Sequence, residues 1–330
     1  MGKTILGVDI GFDSLKIALC KDGKVKKAAT EPMPVNLMKE NRITSVDAMG
    51  ELIKSTMKKN KISASAAAMV LPNEVSYVRN VTMPPMAADQ LAYNIPFEFN
   101  DYIVDELKNY IFDYAMISNP KENPDAPMEM MAVAMPSAII DESRTYFSRA
   151  GLKLVKAAPV EYAYISLIRQ YQKENMTERE YCILDLGYRA IRMFMYNSDR
   201  HVVTRLLDIG IRNLVDSVAE AMNVETHLAK TYLESNYENC QEQEACVSAY
   251  NNIATELMRA MNFYRFSNRD SQLNDVWLCG GGAEIPGLCD AIANTLEMKV
   301  HPISELMPGG SSPEIANLGD YAMAVAVTLD

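Results

Sequence analysis

The sequence predicts an α/β fold built from two related halves, and three stretches predict it. The first is residues 5–25, ILGVDIGFDSLKIALCKDGKV. An apolar run ends in Asp9-Ile10-Gly11, and after a short polar turn Leu15, Ile17 and Leu19 alternate with Lys16 and Ala18, so it reads as strand, tight turn, strand. The second is residues 182–203, CILDLGYRAIRMFMYNSDRHVV, where Asp185, Gly187 and Arg192 fall on Asp9, Gly11 and Lys16, and Asp199 lies near Asp22. The third is residues 275–288, DVWLCGGGAEIPGL, a hydrophobic strand running into Gly280-Gly281-Gly282 and then a helix opening near Pro286.

The chemistry of the paired hairpins suits a phosphate chain. Gly11 lacks a Cβ, so the backbone turns sharply there and can approach a ligand. An Asp at a strand end can hold a metal-bound water, the amides of residues 11–14 can form an anion nest, and Lys16 can meet a phosphate. An ordinary hairpin with a solvated Asp and Lys explains one copy equally well. The second copy favours a ligand held in a cleft between two halves, contacted by Asp9, Lys16, Asp185 and residues 280–282. The three glycines leave bare backbone on which a purine could lie, although their spacing is neither G-x-G-x-x-G nor a P-loop.

Composition bounds the function. A chain of 330 residues has room for two domains, and 48% hydrophobic with 23% charged residues is ordinary for a globular protein. The net charge of −11 argues against general affinity for nucleic acid or anionic lipid, while leaving room for a small basic patch. Lys54, Lys58, Lys59 and Lys61 form such a patch, read most simply as the solvated end of a helix. The six cysteines include no C-x-x-C pair and the three histidines are scattered, so no zinc site is expected. Reduced thiols in the cytoplasm fit that usage. No apolar run approaches the roughly 20 residues that span a bilayer, so a role at a membrane requires a partner to bring the chain there.

In order along the chain, Thr44 and Asp47 read as the N-cap and N3 of a capping box. Met49, Leu52, Ile53 and Met57 give the apolar stripe of a helix ending near Asn60. Residues 66–71 form a short buried strand closed by Pro72. Val75, Tyr77, Arg79 and Val81 alternate as a half-exposed strand, and Met83-Pro84-Pro85-Met86 breaks it. A helix over 87–99 is interrupted by Pro96. Strands follow at 113–117 and 130–135 with a Pro-rich charged loop at 119–127, then a helix at 139–149 closed by Gly151. This β-α-β-β-α set, residues 73–153, reads as an inserted α+β module. A helical pattern over 158–171 leads to the second hairpin. A strand at 202–207 and a helix at 213–222 come next. Residues 224–271 are helical throughout, with Ile253, Leu257, Met261 and Tyr264 facing inward. A last strand near Val300, a mobile loop at 308–313 and a terminal helix of small residues at 318–329, able to pack closely, complete the chain.

Two Asp-x-Gly hairpins, a G-G-G-x-x-x-x-G-L turn and a small-residue terminal helix, in that order, resemble the actin/Hsp70/sugar-kinase ATPase fold, with its ribonuclease H-like duplicated domains. Leu71-Pro72, Met83-Pro84, Phe97-Glu98, Tyr102-Ile103, Asp113-Tyr114, Ala150-Gly151-Leu152, Glu256 with Arg259, and Phe263-Tyr264 are similar to the type IV pilus assembly protein PilM family, a relative of the cell-division protein FtsA. The resemblance spans nearly the whole chain. It implies four parts: a first lobe (1–72 with about 154–178 and 314–330), a partner-binding insert (73–153), a second lobe (179–223 with about 272–313) and a helical lobe over the nucleotide (224–271).

It also implies ATP with Mg²⁺. Asp9, Gly11, Ser14 and Lys16 match the first phosphate loop, Asp185 and Gly187 the second, Lys230 the helical lobe, and Gly280, Gly281 and Gly282 the adenosine turn. Asp9 and Asp185 would meet the metal through water. Glu161 is a candidate for orienting an attacking water, although an exposed helical Glu explains it as well. Departures stand at Tyr188-Arg189, where the family has small and hydroxyl residues, at Gly210-Ile211, where it has Gly-Gly, and at His227, where a Glu precedes the Lys by three. Hydrolysis is therefore expected to be slow or absent.

The implied partner is the cytoplasmic N-terminal tail of a PilN-like membrane protein, in a groove beside the insert. Tyr77, Met83 and Met86 are expected at its rim, and a basic tail would suit the net charge. Self-association is a further expectation; nucleic-acid binding and direct membrane insertion are not expected. An FtsA-like filament tether would need a C-terminal amphipathic helix. A small-molecule kinase would need a general base, which does not stand out.

Overall fold

The computed structural model of the chain describes residues 4–39, 42–117, 126–309, 315 and 317–329. It divides into two compact units, residues 1–170 with 308–316 and 323–330, and residues 171–307 with 317–322.

The first unit opens with an antiparallel meander, β1 (Thr4–Ile10), β2 (Ser14–Lys21) and β3 (Lys24–Pro32). Asp22 and Gly23 between β2 and β3 both take left-handed backbone, with φ of 52° and 74°, as a two-residue hairpin turn requires. A two-residue hairpin, β4 (Met38–Lys39) and β5 (Arg42–Ile43), leads to α1 (Val46–Lys59). The N-cap of α1 is Ser45, one residue beyond the expected Thr44: its Oγ accepts from the Ala48 amide, while the Thr44 hydroxyl donates to the Asn36 carbonyl. Strand β6 (Ala66–Val70) then lies parallel to β1.

The insert follows as β7 (Tyr77–Met83), α2 (Ala88–Asn94), a 3-10 turn over Ile95–Phe99, β8 (Tyr110–Met116) and β9 (Met128–Pro136). Its three strands are antiparallel in the order β7-β9-β8, around a core of Val81, Leu91, Ile95, Phe99 and Met130. Pro96 ends the regular α2 and the chain tightens into the 3-10 turn. Helix α3 (Ser137–Arg149), expected to belong to the insert, packs instead on α1: Tyr146 and Phe147 lie in the core with Met49 and Ile53, and a Cβ on Gly50 would sit 2.9 Å from Arg149 Cβ. The sequence reading missed β10 (Lys153–Ala158), which runs parallel to β6 and completes a sheet in the order β3-β2-β1-β6-β10. Its lysines hide it from a search for apolar runs.

Helix α4 (Val160–Asn175) carries the chain out of the first unit. The second unit repeats the plan with β11 (Glu180–Leu186), β12 (Ile191–Asn197) and β13 (Arg200–Leu207), then α5 (Ile211–Met222), α6 (Thr226–Ser235) and α7 (Glu244–Ser267). Strand β14 (Asp275–Cys279), α8 (Pro286–Leu296) and β15 (Lys299–Pro302) complete it. Its sheet runs β13-β12-β11-β14-β15, the order of the first sheet, with the second strand antiparallel and the last two parallel in both. Residues 224–271 do not form a lobe with its own core. Tyr250, Ile253, Leu257, Met261 and Tyr264 of α7, with Ala229 and Leu233 of α6, share one cluster with Leu184, Met193 and Leu278 of the sheet.

The terminal helix α9 (Ala322–Ala326) begins at the end of a 3-10 turn. Its fit is as close as its small residues suggest: a Cβ on Gly7 of β1 would lie 1.6 Å from the Ala324 carbonyl oxygen. The loop expected at 119–127 lies outside the described residues as far as 125, and the stretch expected at 308–313 does so from 310 onward.

Candidate functional site

Each unit presents one Asp-x-Gly turn at the end of its central strand, and the two are built alike. In the first, Asp9 stands opposite Lys16 across the β1–β2 pair; in the second, Asp185 stands opposite Arg192 across β11–β12. An acid and a cation thus face each other at the mouth of each hairpin. In the second unit they form an ion pair, with Arg192 Nη1 3.9 Å from Asp185 Oδ2 and both side chains mostly buried.

The glycines close the turns. The Gly11 amide donates to the Ser14 carbonyl at 3.0 Å, so this amide serves the turn and is not part of the anion nest expected over residues 11–14. A Cβ on Gly187 would come within 2.6 Å of the Ala190 carbonyl oxygen, the corresponding closure in the second unit.

The second turn is fastened to the start of α5. The Ile211 amide donates to the Gly187 carbonyl at 3.1 Å and the Arg212 amide to the Tyr188 carbonyl at 2.8 Å. The Gly210 amide donates to Asn213 Oδ1 at 3.0 Å, and the Gly210 backbone lies so close to residues 188–190 that a Cβ there would meet them at 2.6–2.7 Å. A helix start normally offers its first amides to an anion; here those of Ile211 and Arg212 go to the neighbouring turn.

The three glycines separate into two roles. Gly280 takes φ +81°, and its backbone abuts Asp185 Oδ1 and the Leu186 carbonyl, where a Cβ would be 2.6 and 2.8 Å away. Gly282 is buried under Ile211 and Leu186, with Ile211 Cδ1 2.5 Å from where a Cβ would be. Gly281 alone of the three meets open space on that side.

Tyr188 packs against the second unit's core, and Lys230 of α6 lies over its ring, the Nζ 5.5 Å from the centroid and 3.7 Å from Glu234. The fold therefore brings Lys230 to the second turn. His227 is exposed and paired with Glu225 at 3.3 Å. Among the described residues no group of three or more His, Cys, Asp or Glu is placed to hold a metal ion directly. Glu161, expected as an exposed helical Glu if not a functional one, is 7% exposed in the first turn of α4.

The residues expected at a partner-binding rim are distributed differently. Met83 is the last residue of β7, paired with Met128, and lies in the insert's core at 5% exposure. The strand continues to the Pro84-Pro85 pair, which therefore does not expel Met83 from regular structure. Met86 is half-buried, its amide on Met128 Sδ and its own Sδ accepting from Asn94. Tyr77 is half-buried against Tyr110. The exposed aromatic side chains of the insert are Tyr93, Phe97 and Tyr102: Tyr93 and Phe97 meet edge to face, and Arg79 lies over Tyr102.

Sequence reading also missed an acidic hollow of about 480 Å³ along α3, lined by Asp47, Asp141, Glu142, Thr145 and Arg149. The i, i+4 and i+8 spacing of Asp141, Thr145 and Arg149 carries the signal, but only the packing of α3 beside α1 makes a hollow of it.

Two five-stranded sheets of one topology, each with an acid–glycine turn closing its central hairpin, define an actin-like fold. The Spiroplasma citri MreB 5 structure, bound to AMPPNP, shares that fold at a TM-score of 0.55 and 9% identity, over 99% of this chain and 95% of that one. So does the ethanolamine utilization protein EutJ from Carboxydothermus hydrogenoformans, at 0.62 and 12%, over 99% and 89%. The chain belongs to the type IV pilus assembly protein PilM family, whose profile it matches over residues 7–308. A solved PilM-PilN type IV pilus biogenesis complex matches at a TM-score of 0.82 and 20% identity, over 98% of this chain and 97% of that one. No described helix is long and apolar enough to cross a membrane.

Proposed function

We propose that this chain is an actin-like adaptor of type IV pilus assembly that docks the N-terminal cytoplasmic tail of a PilN-like membrane protein. The docked tail would hold it at the inner face of the cell membrane. The observation that carries the reading is the family match over nearly the whole chain, together with an antiparallel insert that has its own core within the first unit. The acidic hollow along α3, next to the insert in sequence and in the same unit, is the surface we assign to the tail. A basic tail would compete there with the arginines that pair with two of its carboxylates, Arg149 with Asp47 and Arg144 with Asp141, and would bind less tightly as salt rises.

ATP with Mg²⁺ is the ligand we propose for the two Asp-x-Gly turns. Asp9 and Asp185, each opposite a cation across its hairpin, would both meet the metal through water. Lys16 and Lys230 would offset phosphate charge, Gly11, Ser14 and Gly187 would shape the turns, and Gly281 would present bare backbone to the base, with Gly280 and Gly282 supporting it. Bound ATP would supply a charged phosphate chain that biases conformation. Turnover would be slow or absent, given the departures at Tyr188, Arg189, Ile211 and His227; Glu161, the candidate for orienting a water, is 7% exposed in the first turn of α4.

Calorimetry tests both parts. A peptide of the partner's tail should bind the full chain, and binding should be lost in D141K/E142K, two exposed side chains of α3 that line the hollow. A folded D141K/E142K variant that still binds the tail refutes the docking surface. Absence of heat with millimolar ATP and Mg²⁺ refutes the nucleotide assignment and leaves the adaptor reading standing.

A further inference from the structure

The first unit carries a lysine surface on a chain whose net charge is −11. Lys24, Lys26 and Lys27 are exposed on β3, the edge strand of its sheet. Lys58, Lys59 and Lys61 are exposed at the end of α1. In sequence the α1 lysines read as the solvated end of a helix, and those of β3 stand some thirty residues before them. The fold makes them one surface: Lys27 Nζ donates to the Lys61 carbonyl, and Lys59 pairs with Glu31 of β3 at 2.9 Å. Nearby acids are fewer: Asp22 in the turn before Lys24, Glu31, and Glu51, the last paired with Lys54.

We infer that this β3–α1 surface rests against an anionic membrane surface. The inference rests on the adaptor reading in one respect, that a docked tail brings the chain close to the bilayer. The chemistry of the patch selects the occupant. Its cations are all lysines, hydrated point charges on flexible stems, whereas protein interfaces favour arginine and aromatic anchors and are depleted in lysine. Val25, between the strand lysines, and Ala29, just after them, are buried, so no exposed anchor is interleaved with the charges. A diffuse layer of lipid phosphates suits such a surface better than a shaped partner does, and lysine clusters of this size are attracted to anionic headgroups. Repulsion from the rest of the acidic chain is short-ranged at physiological salt, where the screening length is about 8 Å, so the local charge governs contact.

The test is co-sedimentation of the full chain, without any tail peptide, with vesicles of phosphatidylcholine alone or with about one third phosphatidylglycerol. The expected result is binding to the anionic vesicles only, lost at about 0.3 M salt and weakened at least tenfold in K24E/K26E/K58E. Those three substitutions keep the Lys27–Lys61 and Lys59–Glu31 contacts. Circular dichroism confirms folding, and unchanged calorimetric affinity of the variant for the tail peptide shows that docking is intact. The inference is overturned if the folded wild-type chain ignores anionic vesicles at about 0.05 M salt, if the triple variant binds them as well as wild type, or if duplex DNA binds more tightly than the vesicles. Loss of tail binding by wild type would instead refute the adaptor reading, independently of the vesicle result.

Discussion

Gly7→Ala tests the contact that docks the end of the chain on the first sheet. The added Cβ would lie 1.6 Å from the Ala324 carbonyl oxygen and 2.8 Å from Thr328 Cγ2. The first clash is with backbone, so no side-chain rotation relieves it: either β1 or the segment after Met323 must move by well over 1 Å. Overpacking of this kind costs about 1–3 kcal/mol when the surroundings relax. If the segment detaches, Val325 and Val327, both fully buried, and Leu329 at 6% exposure lose their burial, at about 1.5 kcal/mol or more each. The expected loss is therefore about 2–5 kcal/mol, a large part of an ordinary domain's stability. Urea unfolding followed by circular dichroism should show the midpoint falling by about 1 M or more. Hydrogen exchange should speed up selectively at residues 323–329. Gly281→Ala is the control: its Cβ meets nothing within 4 Å, so its stability should match wild type within about 0.5 kcal/mol. A Gly7→Ala protein as stable as Gly281→Ala would refute the packing argument.

Other outcomes follow from the same geometry. Burial holds His201 near a pKa of about 4, below the ordinary 6.5, so the native state keeps the ring neutral while the unfolded chain protonates it. The native state should therefore lose up to about 3 kcal/mol relative to the unfolded chain as pH falls from 6.5 to 4, with no such effect above 6.5; His201→Gln should remove that part of the slope, and identical pH profiles would refute it. Burial pushes the thiols of Cys20, Cys246 and Cys289 up to about 11 and that of Cys182 up as well. A thiol reagent at pH 8 should leave the native chain unlabelled for minutes and modify all six cysteines in urea; rapid native labelling of Cys182 would contradict its burial. Ile211→Gly should uncover Gly282 and tighten ATP binding measured by calorimetry, at a cost in stability of about 2–5 kcal/mol from the lost core side chain. Unchanged or weaker ATP binding would show that Ile211 does not crowd the ligand.

Much of this molecule is local and therefore legible in one dimension. The alternation of Leu15, Ile17 and Leu19, the Asp-Gly turn at 22–23 and the repeat of Asp9, Gly11 and Lys16 as Asp185, Gly187 and Arg192 are short-range patterns, and they announced two copies of one hairpin. The small residues of the terminal helix likewise announced close packing, which Gly7 and Ala324 display. Other features depend on partners distant in sequence. Lys153 and Lys156 mask β10, which exists because β6 offers it a parallel edge. Met83 reads as an exposed methionine before two prolines until β9 pairs with it and turns it inward. Gly280, Gly281 and Gly282 look equivalent in sequence, and only the approach of β11 and α5 gives two of them a packing role and leaves the third open. The lysines of β3 and α1 are separated by some thirty residues of chain, and only their packing makes one surface of them. Backbone propensity and side-chain period act over a few residues and so are written in the sequence; burial, register and shared charge are properties of pairs, and the tertiary structure decides which pairs form.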